Sequence, residues 1–156
     1  VYKRQDIRSI RFPGVMSYDT LPGGGTTDYA VEIFHSFKSK TKYTSFLDRE
    51  TTLPMIYIDD AIDGIIKLMR ASKKKLRIQS SYNLSSFSMS PKMIEEELKK
   101  IDNGFQVDYV PDYRQAIADS WPNTIDDIYA CEDWDWNSKY NFKKTTNHML
   151  SKLAII

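Results

Sequence analysis

Three groups of side chains in this sequence have types and spacings that could do chemistry. The first is Pro22-Gly23-Gly24-Gly25-Thr26-Thr27-Asp28, where consecutive backbone N–H groups ahead of a helix can hold an anion or a carboxylate, with two hydroxyls beside them. Gly23-x-Gly25-x-x-Asp28 lacks the third glycine of the dinucleotide fingerprint and does not follow a strand directly, which argues against a cofactor phosphate loop. A flexible turn is the competing reading. The second is Asp59-Asp60-x-x-Asp63, whose carboxylates could hold Mg²⁺ against a diphosphate. That use calls for an all-helical cavity and a second acidic motif, and Asp126-Asp127 stands in a different context. The preferred reading makes Asp59 a helix N-cap, with Asp60 and Asp63 at the positive end of the helix dipole.

The third group is Tyr140-x-x-x-Lys144, the spacing by which a helix sets a tyrosine acid/base beside a lysine. Asn141 is the expected cap of the last helix, so Tyr140 precedes that helix and the match is a coincidence. His35 and His148 lie far apart in the chain and are expected to have no partners. Trp121, Trp134 and Trp136 read as core or lid packing, and Trp121 before Pro122 could close over a small substrate.

The elements that must position these groups follow from periodicity. Ile7, Ile10 and Phe12 suggest a short strand that stops at Pro13-Gly14, and residues 17–27 a loop. Ala30, Ile33, Phe34 and Phe37 mark one face of a helix that Thr26 or Thr27 can cap and that ends among Lys38 to Lys42. Met55 to Ile58 predicts a strand, and Ile62, Ile65, Ile66 and Met69 the apolar face of a helix running on to Lys73–Lys75. Tyr82 to Leu84 reads as a strand, Ser90-Pro91 as a helix start, Ile94, Leu98 and Ile101 as that helix's apolar stripe, and Phe105 to Tyr109 as a further strand. Helical segments are expected at Ala116 to Ala118, Ile125 to Trp134 and Lys143 to Leu153. The chain is therefore expected to be mixed α/β.

Composition narrows the function. The 156 residues carry 22 Lys plus Arg against 21 Asp plus Glu, a balance with no basic footprint for nucleic acid or an anionic membrane surface. The longest apolar run, Ala61 to Met69, falls short of the roughly 20 residues that span a bilayer, so a soluble domain is expected. One cysteine, Cys131, allows no internal disulfide and no multi-cysteine metal site, and it fits a reducing compartment. No metal site is expected. The first residue is Val1 and no basic-then-apolar leader follows it, so the chain reads as a fragment without a secretory signal.

Longer blocks carry a resemblance. Ile7-Arg8-Ser9-Ile10-Arg11-Phe12-Pro13-Gly14, then Pro22 to Ala30 (PGGGTTDYA), Leu53 to Asp60 (LPMIYIDD) and Arg114 to Pro122 (RQAIADSWP) together resemble the short-chain type L-threonine 3-dehydrogenases, a family of extended short-chain dehydrogenases. The likeness runs from about Asp6 to about Leu153, through Asp133-Trp134-Asp135-Trp136. GGGTTDYA and RQAIADSWP are the specific blocks; MIYIDD and DWDW are shared with nucleotide-sugar epimerases. The family's glycine fingerprint, acidic ribose ligand and Tyr-x-x-x-Lys helix have no counterpart here, so the resemblance implies the C-terminal part of an NAD(P)-binding Rossmann-like enzyme: the last sheet strands and a small substrate-binding α/β domain over 6–156. Residues 1–5 do not match and are expected to be a non-native junction or disordered start.

The resemblance implies that the complete enzyme oxidises the β-hydroxyl of L-threonine to 2-amino-3-oxobutanoate with NAD⁺, that it is a homodimer, and that it is cytoplasmic, or mitochondrial in a eukaryote. By matched position, Thr26 and Thr27 would hydrogen-bond the amino acid, the amides of Gly24 and Gly25 would suit its carboxylate, and Trp121 would help cover the pocket. Pro13 and Gly14 would line the carboxamide end of the cofactor, and Phe12 stands where the family more often has tyrosine. No catalytic residue is expected within the chain, and the fragment alone is expected to be inactive. Two alternatives stay open: another extended short-chain enzyme, such as a nucleotide-sugar epimerase or dehydratase, and a non-catalytic binding module. A diphosphate would call for basic side chains around the loop, and residues 17–30 contain none.

Overall fold

A computed structural model describes residues 6–78 and 80–153 of the protein; the junction expected at residues 1–5 lies outside them. In chain order the elements are β1 (Ile10–Arg11), β2 (Gly14–Met16), α1 (Tyr29–Lys38), β3 (Tyr43–Ser45), β4 (Leu53–Tyr57), α2 (Ile58–Arg70), β5 (Tyr82–Asn83), β6 (Phe87–Met89), α3 (Pro91–Lys99), β7 (Val107–Tyr109), α4 (Tyr113–Asp119), α5 (Ile128–Trp134) and α6 (Phe142–Lys152). The strands form three small sheets: β1 parallel to β5, β3 parallel to β7, and β2-β4-β6 with β2 parallel and β6 antiparallel to β4. This is the mixed α/β class that the periodicity implies.

Strand β4 is buried at every position, as a central strand covered on both faces must be. Its alternation feeds two cores. Leu53, Met55 and Tyr57 face a cluster with Tyr29, Ile33 and Phe34 of α1 and Ile94 and Leu98 of α3. Ile56 faces a second cluster with Ala61, Leu68, Leu84, Trp134 and Trp136. Trp134 and Trp136 are thus core residues, whereas Trp121 is 42% exposed.

Several sequence expectations are corrected. The first strand does stop before Pro13, but no turn follows: Gly14 opens β2, which pairs with Met55 of β4 in a different sheet, because a proline without an N–H breaks the β1 ladder and lets the chain change sheets. The strands β3 and β6 are too short to show a period of two. Neither Thr26 nor Thr27 caps α1; Asp28 holds the N-cap position, with no side-chain bond to the helix. Asp59 is not the cap of α2, which begins one residue earlier, at Ile58. The basic run Lys73–Lys75 forms a separate 3₁₀ turn beyond the end of α2. Ile101 lies beyond the end of α3 and is exposed. Ser90, by contrast, caps α3 as expected, accepting from the Met93 amide.

The largest correction concerns the face of α2. Ile62, Ile65, Ile66 and Met69 are exposed, and the buried residues are Asp60, Ala61, Gly64 and Leu68. The cause is proximity: a β-carbon on Gly64 would stand 2.5 Å from Leu84 Cδ1 and 3.1 Å from Trp136 Cζ3. Only the small-residue face can approach β5 that closely, so the large side chains point outward.

Candidate functional site

A cleft of about 310 Å³ opens where the β1–β2 junction, the start of α1 and the segment after α4 converge. Its walls are Phe12, Pro13, Gly14, Val15, Thr27, Pro54, Trp121, Pro122 and Ile125. That volume suits a small molecule or one end of a larger one. Among the described residues that line it, none is charged. The cleft offers apolar surface, backbone groups and the Thr27 hydroxyl.

Four residues singled out from the sequence meet here: Pro13, Gly14, Thr27 and Trp121. Register explains the first three. Gly14 pairs with Met55, which follows Pro54 at the cleft wall, and a β-carbon on Gly14 would come within 2.7 Å of Thr27 Cγ2. A side chain at position 14 would therefore collide with Thr27, and glycine leaves bare backbone at the wall. Trp121 follows the C-terminus of α4, its amide donating to the Ala118 carbonyl. Val15, Pro54 and Ile125 complete the wall and had no signal in the sequence, since apolar residues reach a site only through tertiary packing.

Gly24, Gly25 and Thr26 lie outside the lining of this cleft. Gly24 has φ +95°, a conformation that favours glycine. The amides of Gly24 and Gly25 both donate to Asp28 Oδ2, each at 2.8 Å. These are the two amides expected to receive a substrate carboxylate, and Asp28 occupies the same place with a carboxylate of its own. A ligand carboxylate reaches them only by displacing it.

The acidic group has no metal-holding geometry: among the described residues no cluster of three or more His, Cys, Asp or Glu could hold an ion. Asp60, fully buried, accepts from the amides of Lys139 at 3.0 Å and Tyr140 at 2.9 Å. Asp63 forms ion pairs with Lys139 at 3.1 Å and Lys67 at 3.5 Å. Burial pushes its carboxyl up, but the two lysines outweigh burial and hold it below the usual value. The three aspartates clamp the segment before α6 to α2.

Tyr140 precedes α6, and Asn141 caps that helix by accepting from the Lys144 amide at 2.9 Å. The Tyr140 hydroxyl donates to Asp59 at 2.8 Å, and this bond, with burial second, pushes its pKa up to about 12. A catalytic tyrosine needs the opposite shift. His148 does have a partner: its Nδ1 lies 2.8 Å from the buried Tyr57 hydroxyl, among the rings of Tyr18 and Tyr140. Burial, then the nearby Asp59, raises Tyr57 as well.

No protein-family model matches the chain. It is 49% identical over 149 residues to an uncharacterized epimerase/dehydratase of Staphylococcus haemolyticus, covering 95% of this chain and 47% of that one, and 45% identical to one from Staphylococcus aureus. The chain thus spans about half the length of the curated relatives it matches. Among solved structures it is similar to the GalE-like L-threonine dehydrogenase of Cupriavidus necator, with a TM-score of 0.93 at 47% identity over 96% of this chain and 48% of that one. It is also similar to the L-threonine 3-dehydrogenase of Trypanosoma brucei, with a TM-score of 0.90 at 36% identity, over 95% of this chain and 46% of that one. The UDP-glucuronic acid 4-epimerase of Bacillus cereus shares the fold alone, with a TM-score of 0.71 at 17% identity. Over nearly its whole length the chain is thus similar to the C-terminal half of threonine-dehydrogenase-like members of the extended short-chain dehydrogenases.

Proposed function

We propose that this chain is the substrate-recognising half of an NAD-dependent L-threonine 3-dehydrogenase, whose complete form oxidises the β-hydroxyl of L-threonine to 2-amino-3-oxobutanoate. The observation that carries this reading is the gathering of Pro13, Gly14, Thr27 and Trp121, from three separate stretches of chain, around one neutral cleft. The names of the similar solved structures support it.

Within the cleft, the Thr27 hydroxyl hydrogen-bonds the amino acid and the Trp121 ring covers it. Thr26 reaches the same substrate from the glycine bend, and Gly24 and Gly25 receive its carboxylate when Asp28 swings away. Pro13 and the bare backbone of Gly14 fit the uncharged carboxamide end of NAD. With no basic side chain in the lining, this half does not fit the cofactor's diphosphate, which falls to the other half. When bound, NAD⁺ supplies the hydride acceptor. The base that takes the hydroxyl proton also lies outside this chain, since the Tyr140 hydroxyl is tied to Asp59. The 156 residues alone therefore have no turnover. The complete enzyme is a cytoplasmic homodimer that associates through its other half.

Joining the unmatched N-terminal half of the Cupriavidus necator enzyme to Asp6 gives a complete chain for assay. Threonine-dependent NADH formation at 340 nm, weakened by Thr27→Val, is the expected result. Turnover of a UDP-sugar in place of threonine would move the chain to the epimerases. A folded chimera that turns over neither would leave it a binding module.

A further inference from the structure

The seven residues of α4 are too few to stand as a helix by themselves, so the place of that helix is set by what its side chains hold. Tyr113 and Ile117 are exposed, and only Ala118 is buried. At its start, Asp112 caps the helix by accepting from the Arg114 amide at 2.8 Å, and Arg114 lies over the Phe46 ring, 3.2 Å from its centroid. These contacts hold the end remote from Trp121.

Further along, the link is the half-buried Gln115. Its Oε1 accepts from the Asp48 amide at 2.7 Å, and its Nε2 donates to Thr51 Oγ1 at 2.9 Å and to Asp119 Oδ1 at 2.6 Å. A side-chain amide that faces an N–H on one side and a carboxylate on the other fits only one way round. The partners therefore fix the orientation of Gln115 as well as its place.

Those partners lead to two walls of the cleft. The Thr51 amide donates to the Asp48 carbonyl, closing the turn that enters β4 and reaches Pro54 at the cleft. Asp119 is the last residue of α4, just ahead of Ser120 and Trp121. The amides of Ser120 and Trp121 continue the helical bonding, donating to the carbonyls of Ile117 and Ala118, so a displacement of Asp119 carries on to the indole. We infer that Gln115 is a positioning residue for Trp121: it sets the gap between that ring and Pro54 across which the substrate is held. Gln115 is not in the cleft lining and touches no ligand itself. The inference rests on the reading of this cleft as the substrate site.

Acrylamide quenching of Trp121 fluorescence in the 156-residue chain, read by difference from Trp121→Phe, tests the tie without substrate. Gln115→Met keeps the length of the side chain and loses all three hydrogen bonds. It should raise the quenching constant of Trp121 about twofold, as the ring goes from 42% toward full exposure, and leave the buried Trp134 and Trp136 as they are. Asp119→Ala, at an exposed position, should have the same effect and serves where Gln115→Met fails to fold. Asp119→Asn keeps an acceptor and should restore the unaltered quenching. In the chimera joined at Asp6, Gln115→Met should raise KM for threonine about tenfold with kcat within about twofold, because the tie bears on holding the substrate and not on the reacting groups.

Unchanged Trp121 quenching in Gln115→Met or, where that variant does not fold, in Asp119→Ala would overturn the proposal. An equal rise at Trp121 and at the two buried tryptophans would do the same, since it marks general loosening. So would an unchanged KM in a chimera that Trp121→Ala impairs. A chimera that ignores threonine without any substitution sinks the threonine assignment, and the quenching result then decides the tie by itself.

Discussion

Thr27 stands over Gly14 so closely that a β-carbon at position 14 would lie 2.7 Å from its Cγ2, with Met55 Sδ nearer still at 2.4 Å. One residue of the helix entry and one of β4 thereby fix the wall of the cleft. Gly14→Ala should destabilise the chain by about 1–3 kcal/mol, the usual cost of overpacking, measured as a lower urea midpoint at unchanged slope. Combining it with Thr27→Ala should cost less than the sum of the two, because the second change removes part of the obstacle. Strict additivity would mean that the two residues do not share that space.

The two threonines of the bend should differ in the complete enzyme. Thr27 lines the cleft and Thr26 does not. Thr27→Val should lower kcat/KM for threonine by at least tenfold, the loss expected when a hydrogen bond of about 1.5–3 kcal/mol to a charged or buried partner goes unmade. Thr26→Val should have the smaller effect, and NAD⁺ affinity should move with neither. Equal losses would mean that Thr26, outside the cleft lining, holds the substrate as firmly as Thr27.

Much of this arrangement was legible in the sequence, and the failures have physical causes. Pro13, Gly14, Thr27 and Trp121 were found as pieces of longer blocks, not from their own chemistry. The helix α1 was readable because Ala30, Ile33 and Phe34 face a core on one side only. The same pattern misled at α2, where the strongest apolar stripe points outward and the small residues Ala61 and Gly64 make the buried contact. Periodicity marks an apolar face without saying whether the described chain covers it. Asp28 was invisible as the partner of the Gly24 and Gly25 amides because a carboxylate that folds back on its own loop looks the same in sequence as one that faces solvent.

In the sequence Asp60 reads as a favourable charge at a helix start, yet its buried side chain is the anchor of residues 139–140. Asp60→Ala leaves those two amides without their acceptor and should cost about 2–3 kcal/mol. Asp60→Asn keeps one acceptor oxygen and should cost less. The comparison of the two urea midpoints checks whether the hydrogen bonds, and not the volume of the side chain, carry the effect.

Tyr140 gives an alkaline signature. Its pKa is raised, with the Asp59 hydrogen bond the main cause, so the bond contributes stability that is fully present below about pH 10, the value in the unfolded chain. That contribution is lost as pH rises toward about 12. Tyrosinate absorbance at 295 nm should show the Tyr140 component, identified by difference from Tyr140→Phe, titrating near 12. Asp59→Asn should bring it down toward 10. A component that already titrates near 10 in the unaltered chain would show that Asp59 does not hold it.

Asp133 gives the acid counterpart. It is buried, and its carboxylate accepts from the Tyr82 hydroxyl at 2.5 Å, the Arg77 amide at 3.0 Å and Arg77 Nε at 2.5 Å, which ties α5 to the segment entering β5. Burial alone would raise this carboxyl; the Tyr82 and Arg77 bonds overcome it and hold the pKa below the ordinary value. The sign follows from linkage: the stabilisation is complete above the unfolded value of about 3.9 and is lost as pH falls through the lower folded value. Asp133→Asn should therefore lower the melting temperature at pH 7 but lose little further stability below pH 4, so the two melting curves should converge as acid is added. Arg77→Gln should produce the same convergence with a smaller loss at neutral pH, since it leaves the Tyr82 bond and the backbone amide in place. Parallel pH profiles for Asp133→Asn and the unaltered chain would show that this carboxylate is not what acid protonates when the fold opens.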